Sequence, residues 1–267
     1  MRNVKLIIEY EGTGYAGWQE QFGLPTIQAS VASAIAKLTN EPVKLFGASR
    51  TDAGVHAIGQ TANFTTNSKI PVYGIVNGLN SILPEEIVIR DAKDETPEFD
   101  SRRLSVGKIY VYKIVNRPVP SAIMRRFTWF IPRPLDIALM RQAAGHFIGE
   151  KDFSSFCAAG SDALHSIRTV TSVDIQEKDD GLIAIEVRGR AFLRHMIRIM
   201  IGTLVDVGRG RIRPDDVIAI INARDRKAAQ MTAPAKGLCL VRVDYEAVSV
   251  PHARRSPPDK VPLIMGI

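Results

Sequence analysis

Alternation and helical spacing of the apolar positions divide this chain into many short elements. Val4 to Glu11 reads as a strand, and Ile27 to Leu38 carries its apolar residues at helical spacing behind Thr26, a capping residue type. Val43 to Phe46 begins like a strand, Gln60 to Thr66 alternates, and Val72 to Leu83 is helical in period, with Pro71 where a helix can begin. Further strands are predicted at Ile87 to Asp91 and Val106 to Val115, and the latter puts Tyr110 and Tyr112 on one face. Pro134 to Phe147 and Ala191 to Val207 read as helices, and Ile167 to Glu177 with Leu182 to Val187 as a hairpin around Lys178 to Gly181. Pro214 starts another helix, and Leu238 to Tyr245 is the last strand.

Strand pairs joined by turns, with helices interspersed, favour an α+β class over a doubly wound parallel sheet. The expected organisation is two related halves, each a mainly antiparallel sheet flanked by helices, with a cleft between them. The halves divide near Arg102, giving units 1–102 and 103–250, followed by a basic, proline-containing tail at 251–267. With 267 residues and 45% hydrophobic content, the chain has enough apolar surface for a sizeable core.

Charge and cysteines narrow the functional classes. Lys and Arg exceed Asp and Glu by 35 − 28 = 7, and seven arginines stand between Arg188 and Arg213 against the single acid Asp206. Such a cluster suits a phosphate backbone. Two cysteines, Cys157 and Cys239, cannot build a disulfide framework, and no Cys/His spacing suggests a metal site. The N-terminus runs straight into a strand, and the apolar run Ile199 to Val205 is far shorter than a bilayer span, so a soluble cytoplasmic protein is expected.

The stretch with most chemistry is Ser49-Arg50-Thr51-Asp52-Ala53-Gly54-Val55-His56. An aspartate two residues before a glycine ordinarily closes a turn through its own side chain. Arg50 and His56 beside Asp52 argue for more than that. Upstream, Gly12 to Gln19 is a loop of glycines and aromatics, in which Tyr15 and Trp18 are candidates for core packing first and base stacking second.

Read together, Arg50-Thr51-Asp52-Ala53-Gly54-Val55-His56-Ala57, Tyr110-Val111-Tyr112 and Phe192-Leu193-Arg194-His195-Met196-Ile197-Arg198 resemble the tRNA pseudouridine synthase A family. Tyr10-Glu11-Gly12-Thr13, Gly17-Trp18-Gln19, Asp152 to Phe156 and Ala233 to Leu238 add to the likeness, which runs from about residue 4 to Tyr245. Ser49 departs from it, standing where the family commonly has glycine. The resemblance implies isomerisation of uridine to pseudouridine in the anticodon arm of tRNA, at positions 38 to 40, without a cofactor. It implies a homodimer with tRNA as partner; Asp52 and His56 lack the further ligands a metal would need, and the apolar run Ile199 to Val205 is too short for a membrane span. It carries the catalytic aspartate onto Asp52, a substrate-contacting tyrosine onto Tyr110, and the basic partner of the aspartate onto Arg198.

Residue chemistry is compatible with those roles. A carboxylate can act as a covalent nucleophile, here toward C6 of the base or C1′ of the ribose. In a pocket closed over a base it needs a nearby cation to stay ionised, and Arg198 offers one. Tyr110 has a flat ring for stacking, with ordinary strand packing as its plain role, and Tyr112 is left with that plain role. Arg50, always protonated, suits phosphate binding or ordering of an extruded nucleotide. His195 reads as structural or RNA-facing. A non-catalytic RNA-binding protein would explain the arginines but not Asp52, and a glycoside hydrolase would need a second carboxylate that the sequence does not present.

Overall fold

The structure is a computed structural model describing residues 1–160, 163–229 and 231–246; the expected tail at 251–267 lies outside them. In chain order its elements are β1 (Arg2–Tyr10), α1 (Ile27–Thr39), β2 (Phe46–Gly47), β3 (His56–Thr66), α2 (Val72–Ile82), β4 (Ile87–Glu95) and β5 (Ser105–Asn116). There follow β6 (Trp129–Ile131), α3 (Ile137–Gly145), β7 (Gly149–Asp152), β8 (Ile167–Glu177), β9 (Leu182–Gly189), α4 (Met196–Gly208), α5 (Asp216–Ala223) and β10 (Leu238–Tyr245).

The α+β class and the mainly antiparallel pairing are as expected, but the strands form one continuous sheet in the order β4-β1-β3-β10-β5-β9-β8-β7. The join is made by the last strand. β10 pairs parallel to β3 through Cys239↔His56 and Leu240↔Ala57, and antiparallel to β5 from Leu238↔Tyr112 to Tyr245↔Ser105. Arg102, the expected point of division, lies in the turn between β4 and β5.

Local chemistry sets the element ends. Thr26 Oγ1 accepts a hydrogen bond from Ala29 N, and Asp136 Oδ1 accepts one from Leu139 N, so α3 starts three residues after the predicted Pro134. The larger difference is at α4. The apolar spacing predicts a helix from Ala191, yet the helix begins at Met196, because His195 adopts a left-handed conformation with φ 60° that no helix interior allows. β6 and β7 were not predicted; each is four residues or fewer, too short for alternation to show.

α4 is buried almost all round, including Ile197, Ile199, Met200, Ile201 and Leu204. At about 1.5–3 kcal/mol per fully buried aliphatic side chain, this helix is a rigid mount for whatever it carries. Gly202 lets the segment after α5 come close, since a Cβ there would lie 2.2 Å from Met231 O.

Candidate active site

Asp52 stands in the loop between β2 and β3, and the fold braces that loop from below. Gln60, fully buried on β3, grips the backbone of Ser49: Ser49 N donates to Gln60 Oε1 at 3.2 Å, and Gln60 Nε2 donates to Ser49 O at 2.6 Å. Tyr10 Oη and Thr51 Oγ1 are 2.7 Å apart, and Trp18 N donates to Thr51 O at 3.0 Å. Gly17 makes that last contact possible. It has φ 101°, and a Cβ on it would lie 2.6 Å from Thr51 O. Trp18 is accordingly a core residue, in line with the packing role expected for it.

The backbone of Asp52 does close a turn, accepting from Val55 N at 3.1 Å. Its carboxylate is directed elsewhere. Asp52 Oδ2 accepts from Arg198 Nη1 at 3.0 Å and lies 3.6 Å from His195 Nε2, both in or beside the first turn of α4. The two paired side chains are 23% and 15% exposed, so the charge-assisted bond is only partly screened. Arg198 is held from its other side as well: its Nε donates to Ala233 O at 2.9 Å, and Ala233 N returns a bond to Arg198 O at 2.9 Å. The close approach at Gly202 is what brings this segment within reach.

Burial pushes the His195 imidazole below its ordinary pKa; the Asp52 carboxylate opposes this, while Arg198 and Arg194 reinforce it. The imidazole is therefore neutral at neutral pH. It sits beside the carboxylate as a dipole and leaves the ion pair to Arg198.

Tyr110 projects from β5 toward the same loop, its Oη 2.8 Å from Ser49 Oγ. Burial raises its pKa, the bond to Ser49 opposing and the Asp52 charge reinforcing, so the phenol stays protonated. It is not an open platform. The residue is 5% exposed, and the Phe192 ring stands 5.5 Å away at 87°. Tyr112, one pleat further on the same face, is fully buried, donates from its Oη to Pro234 O at 2.8 Å and packs under Gly237.

Asp52, Ser49, Tyr110, Phe192, His195 and Arg198 border one cleft of about 800 Å³. Among the described residues its wall also carries Arg50, Arg102, Arg103, Lys108, Arg168, Arg190 and Arg194, against Glu150 as the acid besides Asp52. A carboxylate clamped by an arginine at the bottom of a cationic groove fits an anionic polymer that presents one residue for chemistry.

The family model described as tRNA pseudouridine synthase matches residues 6–102 and 143–246. The tRNA pseudouridine synthase A of Acetivibrio thermocellus is 49% identical over 245 residues, covering 92% of this chain and all of its own. The chain belongs to the tRNA pseudouridine synthase family. Proteins of the same name from Thermoanaerobacter sp. and Pelobacter propionicus are 46% and 45% identical over the same coverage. Among solved structures, an archaeal box H/ACA sRNP Nop10-Cbf5 complex aligns with 91% of this chain and 49% of its own at 13% identity, with a TM-score of 0.38. As a member of this family, the protein is an isomerase that converts uridine in tRNA to pseudouridine.

Several side chains of the synthase sit where the sequence could not place them. Arg50 is exposed at the cleft mouth. His56, four residues after Asp52, faces away: its Nδ1 accepts from Gly12 N at 3.1 Å and its Nε2 meets Arg126 O at 2.9 Å. The arginine cluster divides. Arg190, Arg194 and Arg198 line the cleft, whereas Arg188 pairs with Glu186, Arg211 with Asp206 and Arg213 with Asp216, and Arg209 lies over Trp129. Gln60, Lys108 and Phe192 received no site role from the sequence, and only Phe192 lay within a family motif. No helix among the described residues is long and apolar enough to cross a membrane.

Proposed function

We propose that this synthase acts on the anticodon arm of tRNA, at positions 38 to 40, with Asp52 as the nucleophile toward a uridine extruded into the cleft. The reaction breaks the N1–C1′ bond and joins C1′ to C5; the C5 proton is released, and N1 takes up a proton. Asp52 supplies the electron pair that forms the covalent intermediate, at C6 of the base or C1′ of the ribose, and its departure restores the free carboxylate. The observation that carries the assignment is the Asp52 carboxylate fixed at 3.0 Å from Arg198 on the wall of a cationic cleft.

Arg198 keeps the carboxylate ionised and aimed, while Tyr110 lies alongside the extruded base once Phe192 gives way. Arg50, exposed on the cleft wall, orders the extruded nucleotide. The protein works in the cytoplasm as a homodimer, with one tRNA touching both subunits and no cofactor; light scattering with and without tRNA measures that stoichiometry. Two domains, 1–102 and 103–250, contribute opposite walls of the cleft, Asp52 from the first and Tyr110 with Arg198 from the second.

The test is to map pseudouridines in tRNA from cells lacking the protein, complemented with wild type or Asp52→Asn. Loss at positions 38 to 40 that only wild type restores supports the assignment. Loss elsewhere in tRNA, or restoration by Asp52→Asn, contradicts it.

A further inference from the structure

Lys108 is a cation the fold buries without an anion. It lies on β5 two residues before Tyr110, on the same face and about 7 Å along the strand. It is 9% exposed, yet it forms part of the cleft wall. Its cross-strand neighbours are Gly189 on β9 and Val243 on β10, neither of them charged. Among the described residues no carboxylate comes within ion-pairing distance of its ammonium. The charges that do bear on it are Arg102 and Arg168, both of its own sign; burial first, and then these two, push its pKa down to about 8.

Arg168, half-buried on β8, places a second cation on the same wall. Its Nη1 is tied to the carbonyls of His165 and Ile167 at 2.9 and 2.6 Å, which fixes the guanidinium, while its Nε is buried with no hydrogen-bond partner. Burying a cation without a counter-charge is costly, and a buried lysine with a half-buried, fixed arginine beside it on one cleft wall makes a site complementary to an anion.

Uracil carries no charge and cannot fill that role. The phosphodiester belonging to the same nucleotide can, and it lies within one nucleotide's reach of a base held at Tyr110. We infer that Lys108, assisted by Arg168, seats the backbone phosphate next to the extruded uridine, so that the enzyme recognises its target as part of a strand and not as a free nucleoside. The inference rests on the base-extrusion reading above. It makes Lys108 a substrate-binding residue whose charge is completed only in the complex.

The experiment uses the full-length enzyme and anticodon stem-loop RNAs in which a neutral methylphosphonate replaces the phosphodiester on the 5′ or the 3′ side of the target uridine. Binding and single-turnover pseudouridine formation are measured for wild type, Lys108→Gln and Lys108→Arg. At one of the two positions, neutralisation weakens wild-type binding by roughly tenfold to a hundredfold, the scale of one charge-assisted hydrogen bond. Lys108→Gln weakens binding of the unmodified RNA by a similar factor and lowers its salt slope by about 0.7–0.9. The two losses do not add, and Lys108→Arg restores most of the affinity. Lys108→Gln melts no lower than wild type, since the lysine makes no bond that the fold needs.

Additive losses, or wild-type affinity in Lys108→Gln, overturn the inference. A lowered melting temperature with an unchanged salt slope assigns the lysine to the fold instead. Failure of the underlying reading is seen separately, as wild type making no pseudouridine in the unmodified stem-loop.

Discussion

Replacing Arg198 with lysine keeps a positive charge near Asp52 but removes the fork. The native guanidinium bridges two segments at once, donating from Nε to Ala233 O at 2.9 Å and from Nη1 to Asp52 Oδ2 at 3.0 Å. A lysine ammonium is a point charge on a flexible stem and does not reproduce that two-point geometry. Methionine, similar in length, removes both bonds. A hydrogen bond to a charged group contributes about 1.5–3 kcal/mol, and the pair is buried enough to expect values in that range. At about 1.4 kcal/mol per decade, Arg198→Met should lose roughly 10- to 150-fold in single-turnover rate if the bond serves only to hold the carboxylate. Misplacement of the nucleophile by about 1 Å would extend the loss by a further factor of roughly 100. Arg198→Lys should fall between wild type and Arg198→Met. The assay is rapid-quench release of tritium from 5-tritiated uridine in tRNA with enzyme in excess, alongside equilibrium tRNA binding. Affinity should change far less than rate, because many other cations line the cleft. Wild-type rates in both variants, or losses confined to affinity, would refute the claim that Arg198 aims Asp52.

Three other perturbations probe the supports of the site. Gln60→Leu leaves the buried N–H and C=O of Ser49 unpaired, so stability should fall by about 2–5 kcal/mol in denaturant melts, with the rate falling as the Asp52 loop loosens. Gly202→Ala forces the segment at Met231 away from α4 and should cost about 1–3 kcal/mol; if the rate does not also fall, the route from this contact through Ala233 to Arg198 is wrong. His56 accepts from Gly12 N, and burial holds its pKa below the ordinary value of about 6.5. Its neutral form stabilises the fold above that pH, and stability should be lost as the pH falls through about 6.5 toward the lower folded value, because the unfolded chain binds the proton more readily. His195 contributes with the same sign. Melting temperatures measured between about pH 7 and 5 should show this acid limb flattened in His56→Gln, and an unchanged limb in both His56→Gln and His195→Gln excludes the assignment.

The elements were legible where one face meets the core and the other does not, as in α1, β5 and the β8–β9 hairpin. Reading failed where burial is two-sided or the backbone leaves its usual region. β3 lies between β1 and β10 and is buried along nearly its whole length, so Gln60 read as an ordinary polar position of a strand when it is the brace beneath Asp52. The left-handed backbone at His195 interrupts an apolar spacing that continues on both sides, which hid the true start of α4. Asp52 itself was visible because cations and glycine surround it within a few residues. The partner Arg198 is 146 positions away, so its pairing came from the family resemblance and not from spacing. The arginine cluster from Arg188 to Arg213 read as one patch, but charge counting cannot distinguish arginines with an acid already in reach from those facing the cleft.

The central claim is that Asp52 attacks the uridine, and the most direct measurement is single-turnover pseudouridine formation by Asp52→Asn in parallel with tRNA affinity. The amide is nearly isosteric but is not a nucleophile of comparable strength. Asp52→Asn should give no detectable product at tRNA occupancy equal to wild type. Pseudouridine formed by Asp52→Asn at the wild-type rate would contradict the claim.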